Sequence, residues 1–190
     1  MSPCMMASLL LLLPGTSLAQ STEPLPIEAR IDRVISVVGD AIVTESDLRL
    51  EQELLRHDTV SCPAMGPPQT NVLGLIEERR VLHRLAAERT LYVPARKAVS
   101  ERLDLLSQNL GPEFEDFKKR WGLTAKGLET LIRDRMVEEA YVEANLGRTL
   151  RAEQTSEGQD WEKRYRQAYR PWIDSRKGNV PIRRLPDTSP

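Results

Sequence analysis

Residues 31–50 constrain the fold more than any other stretch, because strand, turn and helix-start signals follow one another within it. Residues 31–38 are rich in β-branched side chains, which favour a strand, and Gly39-Asp40 suits a two-residue hairpin turn. The apolar run then resumes as a second strand. Thr44 and Asp47 have the spacing of a capping box, so we expect a β-hairpin that leads directly into a helix.

The chain beyond the hairpin predicts helices that each carry one apolar face. Thr124 is placed to cap the longest of them, and Pro94 suits a helical first turn. Gly111-Pro112 is a strong stop signal, and a short aromatic helix follows it. In order, we expect helices over residues 45–56, 70–90, 94–110, about 114–121 and 125–150, with a Pro- and Gly-rich loop over residues 58–69.

The C-terminal part predicts a linker, a further helix and a strand. Residues 151–159 are polar and poorly periodic, as in a linker, and residues 160–185 predict the helix and strand. Pro171 removes a backbone donor, so either the helix kinks there or a new one begins. A lone strand over residues 180–185 would stabilise the hairpin by pairing with it, and the Pro-rich tail at 186–190 is expected to be disordered.

The order of these elements resembles the N-terminal domain of the SurA family of periplasmic chaperones. The resemblance covers residues 31–150 and is clearest where Asp32 precedes an apolar strand, a Gly-containing turn and the helix start Glu45-Ser46-Asp47. It implies a mainly α domain with a small β element, in which the hairpin pairs with a C-terminal strand. Full-length members carry a parvulin-type prolyl isomerase domain after the long helix, and residues 151–159 are too few to hold one.

The N-terminus predicts an export signal over residues 1–19, with cleavage after Ala19 and a linker over residues 20–30. Its apolar run is too short to span a bilayer, so we expect a periplasmic or secreted protein without stable membrane insertion after cleavage. Cys62 would be the one cysteine left. It is expected to be buried or idle, the alternative being an intermolecular disulfide.

The charge balance limits the classes of partner. The chain has 27 basic and 28 acidic residues, so no net field attracts nucleic acid or an anionic membrane. We therefore expect no nucleic-acid partner, and binding that does not depend on bulk charge.

The sequence predicts neither catalysis nor a bound cofactor or metal. His57 and His83 are expected at the surface, without partners at metal-ligand spacing, and no phosphate-binding glycine-rich loop occurs. The acidic pairs Glu77-Glu78 and Glu138-Glu139 lie close to arginines, and we interpret them as solvated ion pairs on helix surfaces.

Aromatic side chains are the candidates for a binding surface. Trp161, Tyr165 and Trp172 share one face of the last predicted helix, where they form either a peptide-binding platform or a core anchor. Together with Trp121 and Met136 they are the predicted peptide-binding residues.

We expect an exported, ATP-independent, non-enzymatic chaperone that holds unfolded or extended secreted or outer-membrane polypeptides in an apolar cleft between helices. One alternative is an assembly subunit that binds a single envelope partner. The other is a prolyl isomerase, which the length of the chain disfavours.

Overall fold

The computed structural model describes residues 32–59, 71–88, 93–152 and 161–186. These residues form a mainly helical structure with a small three-stranded antiparallel sheet, as the sequence predicts. The elements are β1 (Val34–Val38), β2 (Ala41–Thr44), α1 (Glu45–His57), α2 (Val72–Ala87), α3 (Arg96–Leu110), α4 (Phe114–Arg120), α5 (Ala125–Val142), α6 (Arg148–Ala152), α7 (Trp161–Lys177) and β3 (Ile182–Arg184).

The sheet has the order β2-β1-β3, which confirms the predicted pairing of the two ends of the chain. Gly39 has a φ of 62° and is followed by a residue of negative φ, the pattern of a type II′ turn. On the other side of β1, Val37 lies opposite Arg183. One face of the sheet packs on α2 through Val38 and Val43.

Helix α1 begins at the predicted capping box. The backbone N–H of Asp47 donates to Thr44 Oγ1 at 3.3 Å, and the backbone N–H of Thr44 donates to Asp47 Oδ2 at 3.0 Å. Two of the free backbone donors at the start of the helix are thereby satisfied, which fixes the direction in which α1 leaves the hairpin.

Two predicted helix details differ in the structure. Helix α3 begins at Arg96, because Ala95 is extended with ψ of 137° and serves as the N-cap, so Pro94 precedes the helix. Helix α7 runs through Pro171 as one element, so of the two alternatives that the sequence left open, a kink or a new helix, the structure excludes a new helix at Pro171. A helix can absorb one proline when its other turns are held by packing, and α7 buries Tyr169 and Ile173 on either side of it.

Helices α5 and α6 are joined by a π-helical turn at Glu143–Gly147. The combined helix reaches Ala152, in line with the predicted extension to Leu150, and it includes the first two residues of the predicted linker. The rest of that linker, the signal sequence, residues 20–30, Cys62 and residues 187–190 lie outside the described residues.

Three apolar clusters form the interior. The first joins α2, the α5–α6 run and α7 around Leu82, Val142 and Ile173. The second joins α1, α3, α4 and α5, and the third fixes the sheet on α2. Because α2 contributes to two clusters, it connects the sheet to the helices.

Candidate functional site

The predicted aromatic residues of α7 lie mostly in the interior. Tyr165 is 3% exposed and belongs to the first apolar cluster, and Trp161 and Trp172 are half-buried against the same cluster. The ring of Trp161 packs on Tyr165 with centroids 5.7 Å apart, and Tyr141 contacts Trp172 at 6.2 Å. Their main structural role is to anchor α7, which is one of the two alternatives that the sequence left open.

The other two predicted residues lie elsewhere. Trp121 is half-buried against the second cluster, where its indole N–H donates to Glu53 at 2.8 Å. Met136 is half-buried against the same cluster and lines an open groove. The structure therefore does not bring the five predicted residues together into one surface.

The groove that Met136 lines runs between α3 and the α5–α6 run, and its volume is about 640 Å³. We call it the α3–α6 groove. Its apolar lining consists of Ala98, Leu105, Met136, Ala140 and Ala144. Its charged lining consists of Glu101, Arg102, Glu139, Glu143, Arg148 and Arg151.

The apolar lining leaves room for the side chains of another molecule. Three of its five members are alanines, which occupy little space between the helices. Leu105 is 43% exposed, beside Leu106, which is buried in the second cluster. Adjacent residues point about 100° apart around a helix. Leu105 therefore lies outside the core-facing apolar stripe of α3, to which Leu106 belongs.

The π turn at Glu143–Gly147 determines which side chains reach the end of the groove. A π turn uses i→i+5 hydrogen bonds, so it adds about one residue to the helix and rotates the next turn by roughly 100°. Gly147 is buried, whereas Arg148 is exposed and lines the groove. An uninterrupted α-helix would place Gly147 nearer to the groove face than Arg148.

Most charges of the groove are already paired. Arg102 donates to Glu139, with nitrogen–oxygen distances of 2.6 and 2.9 Å. Arg151 donates to Glu143 and stacks over the Trp161 ring. Among the described arginines of the groove, Arg148 alone has no hydrogen-bond or ion-pair partner.

A second polar feature lies in the interior, where three arginines meet four carboxylates. We call it the buried ion network. It consists of Arg79, Arg102, Arg135, Glu51, Asp58, Glu138 and Glu139, contributed by α1, its C-cap residue, α2, α3 and α5. These groups have a net charge of minus one when all are ionised.

The first half of the network centres on Glu51. Arg79 Nε donates to Glu51 at 3.1 Å and Arg135 Nη1 donates to it at 2.7 Å. Arg79 also donates to Glu138 at 2.8 Å, and Arg135 donates to Asp58 at 3.0 Å. Each arginine therefore bridges two carboxylates.

The second half connects the interior to the α3–α6 groove. Arg102 donates to both oxygens of Asp58, at 3.0 and 2.7 Å. The same guanidinium holds Glu139, and both Arg102 and Glu139 line the groove. One wall of the groove is thus fixed by buried and partly buried charge-assisted hydrogen bonds.

The environment shifts the pKa values of these carboxyls in opposite directions. Burial would raise the pKa of Glu51, but the charges and hydrogen bonds of Arg79 and Arg135 outweigh burial and lower it. Burial likewise opposes Arg102 at Asp58, whose pKa is also lowered. At Glu138 burial prevails over Arg79, so its pKa is raised.

The interpretation of the acidic pairs as solvated is wrong. Glu77, Glu78 and Glu138 are 0%, 3% and 6% exposed. Glu77 accepts hydrogen bonds from Ser36 and Arg184, which ties the sheet to α2. A pair of acids near arginines has the same sequence pattern on a surface as in the interior, and only long-range packing distinguishes the two.

Glu78 holds the C-terminal helix. It accepts from Arg170 at 2.5 Å and from the Tyr169 hydroxyl at 3.3 Å, while Lys177 Nζ lies 3.6 Å away. Burial and the neighbouring Glu78 charge raise the pKa of Tyr169. Both acids of the Glu77-Glu78 pair are therefore occupied in fixing C-terminal elements to α2.

The histidines differ in exposure, since His83 is exposed and His57 is half-buried. His83 Nδ1 lies 3.8 Å from Glu138.

In the described ranges, no group of three or more His, Cys, Asp or Glu side chains is arranged to hold a metal ion. No helix within those ranges is long and apolar enough to span a membrane.

No protein-family model matches the chain, and no curated protein matches it in sequence. The resemblance to the SurA N-terminal domain stays a prediction from sequence. The α3–α6 groove is the candidate binding site because it combines an open apolar lining with a cation that has no described partner.

Proposed function

We propose that this protein is an exported, ATP-independent chaperone that holds apolar segments of unfolded or extended polypeptides in the α3–α6 groove. The groove of about 640 Å³, with Leu105 exposed in its lining, is the observation that carries the proposal. A cleft of this size falls in the range of sites that accept small molecules or a few side chains. The sequence resemblance to the SurA N-terminal domain supports the same class of function.

The chemistry of the lining favours weak and general binding. Burying one leucine-sized side chain contributes about 1.5–3 kcal/mol, so two or three such contacts give reversible capture once the cost of association is included. Alanine and methionine linings impose little shape selection, because Met136 can adopt several conformations. A binding site of this kind accepts many clients and releases them without nucleotide hydrolysis.

The test is suppression of aggregation of an unfolded outer-membrane protein by the purified protein at several-fold excess. Two groove variants, Leu105→Ser and Ala144→Trp, should both weaken suppression, the first by removing apolar contact and the second by filling the groove. Ile42→Ser is the matched control, because Ile42 is 55% exposed on the sheet and lies outside the groove. If the groove variants protect as well as the control does, the groove is not the binding site.

Crosslinking in cells separates a general chaperone from an assembly subunit. We expect a photocrosslinker at position 105 to capture many clients. Capture of one folded envelope protein would instead support the assembly subunit, and a failure of the unmodified protein to suppress any aggregation would contradict the proposal.

A further inference from the structure

We propose that the α3–α6 groove selects apolar segments that carry one acidic side chain, whose carboxylate binds Arg148. This inference rests on the proposed function of the groove and adds the chemical class of the preferred segment. It depends on three features of the structure: the position of Arg148, the pairing of the other charges, and the apolar lining between them.

The π turn is what brings Arg148 to the groove. The groove is lined by positions 136, 139, 140, 143 and 144 up to and into the π turn and by positions 148 and 151 after it. Without the extra residue of the π turn, the turn that follows would be rotated by about 100° from its present position. The small, buried Gly147 would then lie nearer to this face than Arg148. The local departure from α geometry therefore has a specific result, which is a guanidinium at one end of an apolar cleft.

The neighbouring cations cannot provide the same contact. Arg102 is 4% exposed and already binds Asp58 and Glu139. Arg151 is engaged by Glu143 and by the Trp161 ring. Of the described groove arginines, Arg148 is the one whose planar fork of donors is left for a carboxylate.

The acidic groups of the groove limit how much negative charge a segment can carry. Glu139 and Glu143 are neutralised by their arginines, but Glu101, within the described part of the chain, has only a 3.7 Å contact with the exposed Lys97. A second carboxylate in the bound segment would meet Glu101 without a further groove cation to balance it. The groove therefore fits one acidic side chain among apolar ones and disfavours a strongly acidic peptide.

The experiment measures binding of short, amide-capped peptides of alternating Leu and Ser, labelled with an uncharged fluorophore, with Glu, Gln or Lys at the centre. The amide cap removes the terminal carboxylate, so the central side chain is the variable. We expect the Glu peptide to bind the unmodified protein about three- to fivefold more tightly than the Gln peptide, which is the upper part of the range for an exposed ion pair. A fourth peptide with two further Glu residues should lose that advantage.

Arg148→Glu should reverse the order, so that the Lys peptide binds best. Arg56→Glu is the matched control: Arg56 is exposed on α1 and outside the groove, so the variant makes the same charge change and should keep the Glu preference. Equal binding of all peptides to the unmodified protein, or a Glu preference that survives Arg148→Glu, would overturn the inference and leave the proposed function standing. Absence of binding by every peptide would overturn both.

Discussion

The substitution Arg135→Leu tests whether the buried ion network holds the helices together. Arg135 is 2% exposed and bridges Glu51 and Asp58 by hydrogen bonds of 2.7 and 3.0 Å. Leucine keeps an apolar stem at this position and removes the charge. The network then has two guanidiniums for four carboxylates, so its net charge changes from minus one to minus two.

The expected loss depends on the partners that remain. Breaking a buried pair by removing one member costs about 3–5 kcal/mol, because it leaves an uncompensated buried charge. Here Glu51 keeps its 3.1 Å contact with Arg79, and Asp58 keeps Arg102. One terminal nitrogen of Arg135 also has no hydrogen-bond partner in the described structure, so nothing is lost there. We therefore expect the low end of the range, about 3 kcal/mol.

Urea unfolding at neutral pH measures this loss. With a slope near 2 kcal/mol per M, typical of small proteins, the midpoint should fall by about 1.5 M. Arg49→Leu is the matched control, because Arg49 is half exposed and pairs with Glu45 on the surface of α1, where such pairs contribute about 0.3–0.5 kcal/mol. The two variants lose the same charge and differ in burial.

Acidification provides an independent check on the same variant. Removing Arg135 takes away one of the charges that lower the pKa values of Glu51 and Asp58, so these carboxyls bind protons more readily in the variant. The stability difference from the unmodified protein should therefore shrink as the pH falls through the ordinary carboxyl pKa values of 4.5 for Glu51 and 3.8 for Asp58. If Arg135→Leu costs no more than Arg49→Leu, or if its deficit does not change with pH, the account of the network is wrong.

Three further results are expected. Glu138→Gln should cost less stability than Glu51→Gln in urea unfolding, because the pKa of Glu138 is raised and the network has one carboxylate in excess. In the unmodified protein, the lowered pKa of Asp58 contributes stability that is present at neutral pH and lost as pH falls through the folded-state value, whereas the raised pKa of Glu138 acts in the opposite sense. Calorimetry from neutral pH down through the pKa values of these carboxyls should show a net decline in the melting temperature. A melting temperature that does not change with pH would contradict this account of the network. Deleting residues 180–185 should lower the melting temperature, since it removes β3; an unchanged value would mean that the β1–β3 pairing contributes nothing.

The local elements of this fold could be predicted because their causes are local. Gly39 and the Thr44–Asp47 box specify the hairpin turn and the start of α1 within a few residues, and both are present in the structure. The pairing of β3 with the hairpin was also predictable, since a two-stranded hairpin needs a further partner, whereas the choice of β1 as the paired strand comes from the structure. The sequence does not decide whether one helix continues through Pro171. The cost of an interior proline is offset by packing, and the sequence does not show that packing.

The groove and the network could not be predicted in the same way. Glu51 and Arg135 are 84 residues apart in the chain, and nothing near either one indicates that they meet. The exposed position of Leu105 depends on which face of α3 is covered, and the position of Arg148 depends on a π turn that has no clear sequence signal. Aromatic side chains were the natural candidates for binding, but the fold uses those of α7 to secure its own interior.

The central position of β1 also has a consequence for how the chain acquires its structure. β1 meets β2 across a two-residue turn, yet it meets β3 only after all the helices between them have been made, since Val38 pairs with Ile182. Bringing such distant segments together costs a large loop-closure entropy, so the contacts between them form late. A growing chain can therefore form the hairpin early, but Glu77 has no Arg184 to bind and the sheet stays incomplete until β3 has been synthesised.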